Sequence, residues 1–342
     1  MPSQQSSGSS SAPNWLDSTI SIVNGALGDY LHDRPNGLAI DMAFYHQNRP
    51  LPLTRASLLR TTPSPTRKLC ILVHGLGGHE GVWLYDDPAD AENSINYGAL
   101  LARDLGFTPL YVRYNTGVAI ADNGKRLAVL LSALLECYPG AVDELVLIGH
   151  SMGGLVLRSA CHYDARHQAT WASKVTHVFY LGTPHAGANL EKFGHAATHM
   201  LLSTPNPITR MIGNILNLRS QGVKDLRAGT VVHAHDIDEA HDDELDFIQD
   251  AVAWLPNARH HLIAGTLTVD PQHIASLLFG DGLVRPPSAH ARSKHMDAFG
   301  AHDHPSQVYP GSHHFRLAHD PDIYEQIKTT CASTEETMRC DS

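Results

Sequence analysis

Residues 144–160 read ELVLIGHSMGGLVLRSA, and the fold turns on how this stretch divides. ELVLI is a continuous apolar run of strand length, and LVLRSA continues as a helix. Between them stands Gly149-His-Ser-Met-Gly-Gly154, a G-x-S-x-G turn in strand–turn–helix context. That context has a geometric meaning. A serine on so tight a turn has its oxygen projected above the end of a sheet, and glycines at 149 and 153 let strand and helix approach closely. The helix that begins behind Ser151 offers unpaired N–H groups and positive potential to a developing anion. The pattern therefore predicts Ser151 as a nucleophile, with the Met152 N–H as one oxyanion donor.

Outward from this stretch the chain alternates. KLCILVHG, TPLYVRYN, VTHVFYLGTPH and RHHLIAGTLT read as strands. NGKRLAVLLSALLECYPG reads as a helix with Asn123 as its cap, and DPDIYEQIKTTCA as a closing helix. Alternation of this kind predicts an α/β fold, a mostly parallel central sheet with helices on both faces. Ahead of it, Ala39–Tyr45 and Leu53–Leu59 read as two strands around the turn HQNRP, and 15–31 reads as an amphipathic helix. A last strand is expected near His290 and His295. From 187 to 256 the alternation lapses, and Ile208, Met211, Ile212, Ile215 and Leu216 share one helical face. The expected organisation is a tail over 1–13, a core over 14–186, a helical cap or lid over 187–256, a second core part over 257–330, and a C-terminal tail over 331–342.

HGLGG, residues 74–78, ends the KLCILV strand one strand-helix unit before the nucleophile. The loop after that strand supplies the second oxyanion donor in this arrangement, here the Leu76 N–H. The acid and the base follow the serine in chain order. Asp281, between glycines in GDGLV, and Asp270, directly after LIAGTLTV, are the candidate acids, with Asp281 preferred. Among 24 histidines position alone selects the base. His313 and His314 in GSHHFRL precede the closing helix; adjacent residues point apart, and His314 is preferred over His313. His74, Gly75, His150, Thr183 and His185 are the expected lining of the substrate pocket.

Composition narrows the rest. Hydrophobic residues make up 42% of 342, enough for a large core, and no run approaches the ~18 apolar residues of a membrane helix. The net charge is -10; 236–250 alone carries eight carboxylates and no Lys or Arg, and no basic stripe suggests nucleic acid. The histidines and acids of HAHDIDEAHDDELD, 233–246, are ligand types for calcium or zinc, but the EF-hand spacing and its glycine are missing and such runs are usually solvated. No metal and no cofactor is expected. Five cysteines without short paired spacing argue against a disulfide framework; a Cys331–Cys340 bridge is compatible with the spacing. The Ser-rich start lacks a basic or apolar segment, which predicts a disordered tail and a cytoplasmic location.

LVHGLGG, YNTG with NGKRLA, GHSMGG, LGTPHAG, GTLT with GDGLVRPPSA, and GSHHFRLAHDPDIYEQI together resemble the α/β-hydrolase lipases and esterases, especially a bacterial group close to the GPI-inositol-deacylase-like (PGAP1-like) lipases. The resemblance runs from about residue 35 to residue 330. It implies Ser151 as nucleophile, Asp281 as acid and His314 as base, and places LGTPHAG at the border of the site. It departs from the family in the doubled His313-His314, where a single histidine is usual. The expected activity is cleavage of carboxylic esters of an apolar acyl group, or a lipid, through an acyl-enzyme. An amidase, thioesterase or acyltransferase would use the same residues. A non-catalytic binding protein would not need all three.

Overall fold

A computed structural model describes residues 39–84, 96–167, 171–188, 220–233, 252–270 and 305–340, together with 17, 20, 21, 23–25, 236, 281, 284 and 289. In chain order its elements are β1 (Ala43–His46), β2 (Arg49–Pro50), α1 (Arg55–Thr61), β3 (Lys68–Val73), a 3₁₀ turn (Glu80–Leu84), α2 (Tyr97–Leu105), β4 (Thr108–Arg113), α3 (Ile120–Cys137), β5 (Glu144–His150), α4 (Met152–His167), β6 (Val175–Leu181), α5 (Gln221–Ala228), β7 (Arg259–Gly265), β8 (Ser306–Tyr309) and α6 (Pro321–Cys340). The strands form one sheet in the order β2-β1-β4-β3-β5-β6-β7-β8. β1 runs antiparallel to both neighbours, and β3 to β8 are mutually parallel. This is the α/β-hydrolase fold.

The central strands are predominantly apolar because both sheet faces are covered. Side chains alternate between the faces. Ile71, Val73, Leu145, Leu147, Val178 and Leu262 pack with Leu127, Leu131 and Leu155 of α3 and α4. Cys70, Leu72, Val146, Ile148, Phe179 and Ile263 pack with Leu101 of α2 and Ile323 and Ile327 of α6. Truncating one such residue, Leu147→Ala for example, costs roughly 2–5 kcal/mol.

Several elements differ from the sequence reading. HQNRP is a tight turn, with Gln47 and Asn48 at φ 50° and 61°, but its second strand ends at Pro50. Leu53–Leu59 is not a strand. Thr54 caps α1, its side chain accepting from the Ser57 N–H at 3.2 Å, and Ala, Leu and Arg then favour helix. Asn123 does not cap α3; it lies inside the first turn and donates to the Asn115 and Val118 carbonyls. The Ile120 N–H at that helix start is met from another segment, by Asp225 Oδ2 of α5 at 2.9 Å. The last strand among the described residues is β8, a short, half-polar SQVY; the region of His290 and His295, where a strand was expected, lies outside the described residues. α6 runs on through the span expected as a C-terminal tail. Cys331 is a buried free thiol. A free Cys331 does not form the Cys331–Cys340 bridge that the spacing allowed. The segments 1–13 and 208–216 lie outside the described residues.

Two stability predictions follow from these contacts. Asp225→Ala leaves the Ile120 N–H buried without its acceptor, so melting drops by a few degrees, corresponding to about 1–3 kcal/mol; unchanged melting would show that the contact contributes nothing. Burial lowers the imidazoles of His177 and His319 to about 4. The unfolded chain protonates them near 6.5, so between about 6.5 and 4 it binds more protons than the folded chain and stability falls as pH falls. Calorimetry should show the melting temperature decreasing from pH 7 to pH 5, with a smaller decrease in His177→Phe. A melting temperature that rises on acidification contradicts this.

Candidate active site

Ser151 occupies the turn between β5 and α4 with φ 54°, a left-handed conformation that a serine rarely adopts. Three contacts hold it there. Its N–H donates to the Leu181 carbonyl at 2.8 Å, and its own carbonyl accepts from the Gly154 N–H at 3.0 Å. Behind it, a Cβ at Gly149 would stand 2.6 Å from Gly154 Cα, so only glycine permits the strand and the helix to close this far. Ser151 is 1% exposed, and its Oγ makes no hydrogen bond among the described residues.

Asp281 and His314 meet beside it. His314 Nδ1 lies 2.8 Å from Asp281 Oδ2, and both side chains are buried. Two backbone links fix the pair: the His314 N–H donates to the Asp281 carbonyl at 3.0 Å, and the Val284 N–H donates to Asp281 Oδ1 at 2.8 Å. Gly182 follows the Leu181 carbonyl that holds Ser151. It has φ 60°, and a Cβ there would stand 3.0 Å from His314 Nδ1 and 3.1 Å from Asp281 Oδ2. A side chain at 182 would thus enter the space of the pair.

The rejected alternatives lie elsewhere. Asp270 is exposed on the loop after β7. His313 is exposed, its Nδ1 accepting from the Arg316 N–H at 3.4 Å. Adjacent residues do point apart here, and the carboxylate partner goes to His314.

The HGLGG loop is braced by its own histidine. His74 is fully buried and stacks on Tyr114, ring centroids 4.5 Å apart. Burial lowers its imidazole to about 3, so it is neutral. Its Nδ1 is 2.9 Å from the Gly75 carbonyl, which fixes that nitrogen as the protonated one, and its Nε2 accepts from the Tyr114 N–H at 3.4 Å. The Gly75 carbonyl also accepts from the Gly78 N–H at 3.1 Å. Pinned on its carbonyl side, the Gly75–Leu76 peptide holds the Leu76 N–H in one direction. Thr116 Oγ1 accepts from the Gly77 N–H at 3.0 Å and holds the next peptide. A Cβ on Gly75 would stand 2.9 Å from Ser151 Cβ, so this loop lies directly against Ser151. The Met152 N–H opens α4, where first-turn N–H groups lack intrahelical partners.

The loop continues into the 3₁₀ turn, anchored by an ion pair that sequence reading missed. Arg113 at the end of β4 forks onto Glu80, Nε to Oε2 at 2.6 Å and Nη2 to Oε1 at 2.5 Å, and reaches Asp17 Oδ1 at 3.0 Å. Its guanidinium lies 4.1 Å over the Tyr45 ring. Removing one partner of such a buried pair is strongly destabilising, because the other charge is left buried. An arginine ending an otherwise apolar strand, TPLYVR, is the signal that could have marked it.

The other expected pocket residues are all buried. His150 directs Nε2 to the His314 carbonyl at 2.9 Å. Thr183 packs against Gly154 of α4. His185 stands edge-on between Tyr180 and Trp254. Of the HAHDIDEAHDDELD segment, His233 bonds Asp122 at 2.8 Å and Asp236 pairs with Lys125 at 2.9 Å. Among the described residues no group of three or more His, Cys, Asp or Glu could hold a metal ion. None of their helices is long and apolar enough to cross a membrane.

Residues 115–234 match the model of the PGAP1-like alpha/beta domain. No curated protein matches. Among solved structures, the chain is similar to the mature form of Bacillus licheniformis lipase BlEst2 (18% identity, TM-score 0.46, 78% of this chain and 93% of that one). It is also similar to the Pyrococcus furiosus esterase Pf2001 (15%, 0.46, 78% and 81%) and to a thermophilic esterase from Thermogutta terrifontis (14%, 0.42, 80% and 91%). Over residues 115–234, the segment that holds the serine elbow, the chain is thus similar to the PGAP1-like alpha/beta domain, on a sheet of α/β-hydrolase order.

Proposed function

We propose that the protein is a carboxylic ester hydrolase, an esterase or lipase, working through Ser151, His314 and Asp281. The observation that carries this reading is the buried 2.8 Å contact between His314 Nδ1 and Asp281 Oδ2 beside a serine held at φ 54°. With its Nδ1 proton donated to Asp281, His314 presents the lone pair of Nε2 for the serine proton.

The chemistry follows in two steps. Ser151 Oγ bonds to the ester carbonyl carbon as its proton passes to His314 Nε2, and the carbonyl oxygen takes up the electron pair. The N–H groups of Leu76 and Met152 stabilise that oxyanion; a donor of this type contributes roughly 2.7–4 kcal/mol to the transition state. The intermediate collapses, the C–O bond to the alcohol breaks, and the imidazolium returns its proton to the departing oxygen. Water then attacks the acyl-serine with His314 again as base, releasing the acid and restoring Ser151. Asp281 keeps the imidazole oriented and offsets its positive charge. No step calls for a metal or cofactor. The small-molecule or lipid substrate presents its acyl carbonyl above the end of the sheet.

Turnover of p-nitrophenyl esters of varied chain length, with the matching anilides, tests the reading. Ser151→Ala should lose activity on the order of 10⁶-fold and Asp281→Asn on the order of 10⁴-fold, both with folding retained. Asp270→Asn should stay within about twofold, because a solvated loop carboxylate far from the imidazole supplies no orientation. A fluorophosphonate probe should label the wild type and not Ser151→Ala. Ester turnover surviving in Ser151→Ala would defeat the proposal, and anilide turnover matching that of the esters would replace esterase by amidase.

A further inference from the structure

His150, the residue before the nucleophile, has no part in the steps above, yet it joins the two halves of the site. It ends β5 and is 3% exposed. Its Nε2 lies 2.9 Å from the backbone carbonyl of His314, 164 residues away in the chain. A carbonyl only accepts, so Nε2 carries the proton and Nδ1 the lone pair. The two rings stand 4.8 Å apart, centroid to centroid, and His150 also meets Trp83 edge-on at 6.3 Å. On its other side the ring borders the oxyanion loop, where a Cβ on Gly75 would stand 3.3 Å from its Nδ1.

His314 is thus held at three points. Its N–H and its Nδ1 both go to Asp281, on the segment that brings the acid. Its carbonyl goes to His150, on the strand that brings the nucleophile. The first two links fix the base relative to the acid and leave free its distance from Ser151. The third ties the base to the nucleophile's own strand.

We propose that His150 is a positioning residue, whose Nε2–H donates to the His314 carbonyl and sets how far the base stands from Ser151. The inference rests on the Ser151–His314 reading proposed above. Acyl transfer is steep in this distance; a displacement of about 1 Å costs on the order of 100-fold. Substrate binding does not pass through the bond, so the loss belongs in kcat and not in KM. The histidine's burial also keeps it neutral, since desolvation holds its pKa well below the usual imidazole value. Its polar contribution is therefore the donated Nε2–H, and another neutral donor of equal reach should replace it.

The test compares His150→Gln, His150→Asn and His150→Leu with the wild type, using steady-state ester hydrolysis, the rate of fluorophosphonate labelling and the melting temperature. The Gln amide nitrogen reaches where Nε2 stands; the Asn amide is one methylene shorter, and Leu has no donor. The expected result is a kcat and labelling-rate loss on the order of 100-fold for Leu and Asn at a KM within about twofold. Gln should recover all but about threefold. If Leu does not fold, the Gln–Asn pair carries the comparison, since both are polar and differ only in reach. Leu or Asn keeping kcat within threefold of the wild type overturns the proposal, and so does Gln losing as much as Asn. His314→Ala serves as the control. Its inactivity beside an active His150→Leu removes this inference alone; activity in His314→Ala removes the triad reading and this inference with it.

Discussion

The structure depends on one backbone constraint, the left-handed turn at Ser151. A non-glycine residue in this region costs on the order of 1–3 kcal/mol and persists only where its surroundings over-determine it. Here they do. The parallel register of β5 with β6 brings the Leu181 carbonyl to the Ser151 N–H, and α4 starts at once, its own N–H capturing the Ser151 carbonyl. Strand and helix press together through Gly149 and Gly154 with no side chain between them. The apolar burial of both sheet faces supplies the stabilisation that offsets the local strain. Core and site are in this sense one object: the strands that bury Leu147 and Val178 also fix the turn.

The polar groups around that turn are disposed so that charge appears only where it can be compensated. His74 and His150 are buried, and desolvation keeps both neutral. Their tautomers are chosen by carbonyl acceptors, which never donate. Neither imidazole therefore adds a positive charge beside His314, and of these three only His314 faces a carboxylate. The ion pair of Arg113 with Glu80, joined by Asp17, anchors the chain after the HGLGG loop.

How much of this could be read from the sequence depends on how local each determinant is. GHSMGG was legible because apolar run, glycine turn and helix lie within 17 consecutive residues. The parallel core was legible for the same reason, strand by strand. Leu53–Leu59 misled because four apolar residues in seven fit both periods, and the decision fell to the Thr54–Ser57 cap. β8 was missed because an edge strand needs little apolar content; its identity comes from pairing with β7. The start of α3 was misplaced since its acceptor, Asp225, lies 105 residues away. The choice between His313 and His314 was not available locally at all. Two adjacent imidazoles differ only in which meets Asp281, and that is a property of the assembled sheet. The same holds for His150, whose partner is a backbone carbonyl and so leaves no trace in residue type.

α5 shows how the segment after the elbow is fitted to the site. It carries no residue of the proposed chemistry, yet it is seated by close approaches. Gly222 lies against the Thr116 and Val118 carbonyls, and a Cβ there would stand 3.1 Å from Met152 Cε. The Ala188 N–H donates to the Leu226 carbonyl at 3.2 Å, Gly222 N–H donates to the Gly117 carbonyl at 3.0 Å, and Asp225 holds the start of α3. In the proposed chemistry Met152 and Thr116, which this helix touches, present one oxyanion donor and brace the loop of the other. Sliding α5 would break these bonds together and unseat both. Seated in this way, α5 would hold the proposed donors in place as a substrate approaches Ser151. A rigid roof over the donors is what electrostatic catalysis requires, because dipoles fixed before the reaction need no reorganisation during it.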